Sequence, residues 1–86
     1  MIQTGKISIT LSGAQETQTA RVTFPQPFPS APVVVMSVSD TARGSTDGAP
    51  KTSIAPNAVD QYSFSWRMKT AAVTAGEITA YWIAVL

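Results

Sequence analysis

The side chains that could do chemistry in this chain are few, and the absences narrow them further. There is no cysteine and no histidine, which removes the common zinc ligands and the side chain that serves as a base at neutral pH. Carboxylates remain. Asp40 and Asp47, with Gly44 and Gly48 between and after them, have the composition of a calcium loop. That loop also requires a third spaced carboxylate and a terminal glutamate, and both are missing here. Asp60 and Glu77 could be written as a general acid and base, but nothing in their spacing pairs them. Solvated surface charges are the better reading. The expectation is a protein that is not an enzyme and takes no metal or cofactor.

Aromatic rings are the other chemical resource, because Trp66 and Trp82 could stack on a sugar. Each lies in a stretch that alternates apolar with polar or small residues, so a core role is expected for both. Tyr81 falls on the opposite face from Trp82. For it, core packing and a subunit boundary both stay open.

The elements that must position these groups read as strands. Residues 6–12 and 19–24 alternate with period two, separated by a turn-rich stretch at 12–18. Residues 62–68 alternate most clearly, with Tyr62, Phe64, Trp66 and Met68 on one face and Ser63, Ser65 and Arg67 on the other. Residues 77–86 close the chain with Ile78, Ala80, Trp82 and Ala84 on one face and Thr79, Tyr81, Ile83 and Val85 on the other. Residues 51–55 suit a short strand that Pro56 places at a sheet edge. Residues 40–50 collect turn-formers and read as a mobile loop, and residues 57–61 form a second turn. No stretch has helical periodicity.

Between the second and third strands lie Pro25, Pro27, Pro29 and Pro32, a stiff connection that surrounds Phe28. Phe28 is expected to plug one end of a core. The run from Val33 to Val38 that follows is apolar on both faces. Such a strand is either central in a sheet or covered on its second face by another subunit. Six short strands with turns between them predict one all-β domain over residues 1–86, an antiparallel β-sandwich.

An 86-residue chain buries only about 60–65% of its unfolded surface, so its own core is marginal. Without disulfides, oligomerisation is the remaining supplement. The net charge is +1 with no basic cluster, so nucleic acid is a poor candidate and is not expected as a partner. No long apolar segment is present; neither a signal peptide nor a membrane insertion is expected. Met1 directly before the first strand suggests a free-standing small protein, although an excised domain would look the same.

The order of these pieces resembles the H-type lectins, the fold of snail agglutinins and of the C-terminal domain of slime-mould discoidins. The resemblance starts at Ile2-Gln3-Thr4-Gly5-Lys6-Ile7, similar to the family's opening V-Q-S-G-K-I. It continues through Val22-Thr23-Phe24, Phe28-Pro29, Pro32-Val33-Val34 and the stretch from Tyr62 to Trp66, and ends at Tyr81-Trp82-Ile83-Ala84-Val85. The resemblance implies a six-stranded sandwich assembled as a parallel homotrimer, and the apolar second faces of residues 33–38 and 81–85 put Val33, Val35, Tyr81, Ile83 and Val85 at the trimer interface. It also implies a sugar site in the cleft between protomers. Gly13 and Glu16 stand nearest the family's Gly and Asp of the first loop, and Lys51 is the cation nearest its fourth-strand Arg. Lys69 and Thr70 stand where it has a Trp-His pair. Because the chain lacks cysteine and a signal peptide and its strands are rich in Ser, Thr and Ala, the resemblance is to bacteriophage versions of the fold. These imply a virion protein made in the host cytoplasm, a tail-fibre or receptor-binding component with other virion proteins as neighbours. Attachment to a host-surface glycan is then its use; the alternative is a structural decoration or assembly knob that binds no sugar.

Overall fold

The period-two alternation of the sequence is realised as six antiparallel strands in a computed structural model that describes residues 1–39, 52–72 and 75–86. The strands are β1 (Ile2–Leu11), β2 (Glu16–Thr23), β3 (Val33–Val38), β4 (Thr52–Asn57), β5 (Ser63–Thr70) and β6 (Gly76–Val85). They form two three-stranded sheets, ordered β1-β6-β3 and β2-β5-β4. The stretch with the clearest alternation, β5, and the closing strand β6 thus take the two central positions. β5 and β6 turn their apolar faces towards each other, and each is flanked by strands with fewer inward apolar residues.

The core between the sheets comes from both. Ile9 and Leu11 of β1, Val34 of β3 and Ile78, Ala80, Trp82 and Ala84 of β6 meet Phe64, Trp66 and Met68 of β5. Large and small residues alternate along β6, so the Trp82 indole fills space that Ala80 and Ala84 leave open. Phe24 and Phe28 close one end. The Phe24 ring lies 4.9 Å from Phe28 in an edge-on arrangement, 5.5 Å from Phe64 and 5.8 Å from Trp82. Burying each such ring contributes about 2–3 kcal/mol, with favourable ring geometry added. Phe28 is held by its own backbone as well, since its N–H donates to the Gln61 carbonyl at 2.8 Å.

The proline-rich connection is tied down by a residue of β1. Gln3 Nε2 donates to the Gln26 carbonyl at 2.8 Å, and the Gln26 N–H donates to Gln3 Oε1 at 3.1 Å. One side-chain amide therefore satisfies both backbone groups of a residue that the prolines keep out of any ladder.

Four details differ from the alternation read in sequence. β3 is an edge strand, not a central one, because β6 pairs with both β1 and β3. Val33 and Val35, on the outward face of the sheet, are uncovered within the chain. Tyr62 leaves the inward row of β5 and is 56% exposed. The Asp60 carboxylate accepts from the N–H groups of Tyr62 and Ser63, 2.8 Å each, so the turn runs through Tyr62 and the strand starts one residue later. The loop expected over residues 12–18 is shorter, since β2 begins at Glu16. β4 runs through Pro56 to Asn57, as an edge strand permits.

Candidate functional site

Each sheet has an outer face, and the two faces differ in chemistry. On the β1-β6-β3 sheet the register sets three rows side by side. Ile2, Val85 and Val33 form the first; Thr4, Ile83 and Val35 the second; Lys6, Tyr81 and Ser37 the third. Strand alternation sends all nine side chains away from the core. Val33 is 69% exposed, Ile2 64%, Val35 58%, and Tyr81, Ile83 and Val85 about two-fifths. The five residues expected at a trimer interface are therefore brought together as one apolar patch on one protomer, and Ile2 joins them. A contiguous apolar face of this kind is uncommon on a monomeric protein. Next to its third row is an open depression of about 660 Å³ lined by Thr4, Gly5, Lys6, Tyr81 and Trp82.

The outer face of the β2-β5-β4 sheet is polar. Thr17, Thr19 and Arg21 of β2 stand beside Lys69, Arg67 and Ser65 of β5, with Ser53, Ala55 and Asn57 of β4 on the far side. Arg21 lies across β5: its Nε donates to Ser63 Oγ and one Nη to Ser65 Oγ, both at 2.9 Å, while the other reaches Asp60 Oδ2 at 3.2 Å. Among the described residues this is the only ion pair. Asp60 is thus a turn residue. The backbone N–H of Tyr62, then that of Ser63, with the Arg21 guanidinium beside them, hold its carboxyl below the ordinary aspartate range.

The residues expected to line a sugar cleft are divided by this geometry. Glu16 and Thr70 are opposite each other in the β2–β5 ladder and share the inward face, whereas Lys69 is paired with Thr17 on the outward one. The Glu16 carboxylate is occupied locally. It accepts from the Ser12 N–H at 2.8 Å, the Ser12 hydroxyl at 3.1 Å and Gln18 Nε2 at 3.1 Å. Ser12's backbone N–H foremost, then the Gln18 amide and the Ser12 hydroxyl, draw its carboxyl below the usual glutamate range. Gly13, with φ of 97°, makes the turn that lets Ser12 reach Glu16, a conformation that a side chain disfavours. Thr70 is 1% exposed; its hydroxyl accepts from Thr52 Oγ1 at 2.7 Å and donates to the Ala71 carbonyl at 3.0 Å. Gly13, Glu16 and Thr70 therefore shape one end of the sandwich, and Lys69 alone of these described residues presents a free-standing side chain to solvent. Lys51 lies outside the described residues, as does the stretch with Asp40 and Asp47. Trp66 and Trp82 are both buried in the core, as their alternation indicated.

Sequence reading passed over the Gln3–Gln26 link and the Arg21–Asp60 turn clasp, whose partners lie 23 and 39 residues apart. For the apolar outer face two signals were present, the second apolar sides of residues 33–38 and 81–85.

A sandwich of two such sheets is also the fold of phage-type fibre domains. The tailspike protein gp49 from Pseudomonas phage LKA1 superposes with a TM-score of 0.74 at 19% identity, over 98% of this chain and 14% of that one. An N-truncated R1-type pyocin tail fiber superposes with a TM-score of 0.73 at 20% identity, over 96% of this chain and 67% of that one. The family model described as "Putative tail fiber protein gp53-like, C-terminal" matches residues 1–85. The chain belongs to this tail-fibre family. No curated protein sequence matches it. Of the resemblance drawn from the sequence, the tail-fibre part agrees with the family; its H-type lectin part and the trimer enter the reading that follows.

Proposed function

We propose that this chain is a non-enzymatic fibre domain of a virion. In this reading it assembles as a homotrimer in the manner of the H-type lectins and attaches the particle to a glycan on the host surface. Membership of the tail-fibre family supports the setting. The single observation that carries the assembly is the uncovered apolar patch of Ile2, Val33, Val35, Tyr81, Ile83 and Val85. Docking of that face on other copies removes its apolar area from water, which is the stabilisation that a small sandwich without disulfides lacks. Three copies then present three equal sites on one particle end. Weak single contacts gain avidity on a dense surface. The chain spans 14% of the tailspike and 67% of the N-truncated pyocin fiber, so attachment by a larger fibre of which this fold is one part is included in the proposal.

The test combines virion labelling with retention on a glycan array. The attachment reading expects antibodies against the chain to label virions and block adsorption, and expects the purified chain to be retained by a subset of glycans. Labelling without blocking or retention would favour the purely structural knob, in which the outer faces dock other virion proteins. Absence from virions would remove both.

A further inference from the structure

We infer that the outer face of the β2-β5-β4 sheet carries a site for anionic groups of a saccharide polymer, centred on Arg67 and Lys69. The inference deepens the attachment reading and rests on it for the polymer's source. It does not rest on it for the chemistry.

Arg67 and Lys69 stand two positions apart on the outward face of the central strand β5, about 7 Å apart along the strand. Both are exposed. Among the described residues neither has an acidic partner, because the one ion pair there is Arg21–Asp60. The contrast with Arg21 matters. Arg21 spends Nε and both Nη groups on Ser63, Ser65 and Asp60, whereas the guanidinium of Arg67 and the ammonium of Lys69 keep theirs for a ligand. Their ladder partners on β4 are small: Ala55 opposite Arg67 and Ser53 opposite Lys69. These short side chains leave a trough of about 230 Å³ lined by Ser53, Ile54, Ala55, Arg67 and Lys69.

A planar guanidinium can grip a carboxylate or a phosphate in a two-pronged fashion, and a nearby ammonium adds a point charge. The hydroxyls of Ser53 and Thr17, ladder partners of Lys69 on either side, can satisfy ring hydroxyls of the sugar that carries the anion. Glu16 is on the other face of the sheet and is engaged by Ser12 and Gln18, so no described carboxylate of β2 opposes the anion. The apolar patch lies on the other sheet, so this face stays open when copies assemble through that patch.

The probes are polygalacturonate for carboxylate, polyphosphate for phosphate and dextran as a neutral control, each immobilised and exposed to the purified chain at low salt. At least one polyanion should retain the chain and dextran should not; which one does so separates the two sources of the anion, and retention by both indicates recognition of the shared charge. Arg67→Gln and Lys69→Gln should each weaken retention about fivefold to tenfold. Lys6→Gln, which removes the same charge from the other sheet, should change it less than about twofold. Melting and circular dichroism of every variant check that the fold persists. No retention by either polyanion overturns the site, and so does an equal loss with Lys6→Gln, which would mean net charge alone is read. If the polyanions bind and the variants lose that binding while whole cells are not retained, the site stands and the attachment reading falls.

Discussion

Gly5 is opposite Trp82 in the β1–β6 ladder, and a Cβ at position 5 would come within 2.5 Å of the indole Nε1 and 2.6 Å of Cε2. The bare backbone of Gly5 is therefore part of the wall of the core. The largest ring of β6 can lie flat against β1 only because nothing projects there. Gly5→Ala must push Trp82 into Phe24 and Phe64, whose rings already lie 5.8 and 5.4 Å away. Overpacking of this kind costs about 1–3 kcal/mol. A denaturant midpoint that falls accordingly, with unchanged slope, is the expected result; an unchanged midpoint would show that the indole has room to move.

Acid should weaken the fold through Asp60 and Glu16. Both carboxyls titrate below their ordinary ranges in the folded chain, so between folded and unfolded pKa values the unfolded chain binds more protons. The stabilisation is complete above the unfolded values, about 4 for such groups, and is lost as pH falls through the lower folded values. Melting temperature should be flat from pH 7 to about 5 and decline below. Asp60→Asn leaves the N–H groups of Tyr62 and Ser63 with a weaker acceptor and should melt lower at pH 7, with a shallower acid decline. A decline as steep as the parent's would assign the acid sensitivity to other groups.

Ala58 has φ of 50°, in the left-handed region where a side chain costs about 1–2 kcal/mol. Glycine removes that strain and adds about 0.5–1 kcal/mol of backbone entropy to lose on folding. Ala58→Gly should be neutral or stabilising by up to about 1 kcal/mol in thermal melts. A clear loss would mean that the Ala58 methyl group makes a contact the turn needs.

Much of this architecture was legible in the chain itself. Period-two alternation at Phe64, Trp66 and Met68 and at Ile78, Ala80, Trp82 and Ala84 located the inward faces of both central strands, because a half-buried strand leaves that pattern wherever it occurs. Phe28 among prolines correctly announced a plug. Sheet order did not follow from alternation, since β3 and β6 carry similar two-sided apolar patterns and only pairing decides which is central. Tyr62 kept the rhythm of its neighbours but not their direction, because Asp60 fixes the turn through backbone contacts that periodicity does not record. The local bonds of Glu16 went unread for a similar reason: its carboxylate accepts from Ser12 and Gln18, contacts that periodicity does not record. Gly5 gave no local sign of its purpose, as its partner is 77 residues away in sequence.

The apolar patch should respond to charge without harming the protomer. Ile83 stands in the middle row between Thr4 and Val35 and is 39% exposed in the single chain. Ile83→Lys should therefore fold as a lone protomer. Its ammonium would be buried unpaired between copies, which costs several kcal/mol at an interface. The variant should dissociate at concentrations where the parent chain remains assembled, as sedimentation velocity would record; an assembly that tolerates it would place the interface elsewhere.

The most direct measurement is the mass of the purified chain in solution. Light scattering at micromolar concentration should give three times the 9.1 kDa of one chain. A folded, stable monomer of 9.1 kDa would contradict the account.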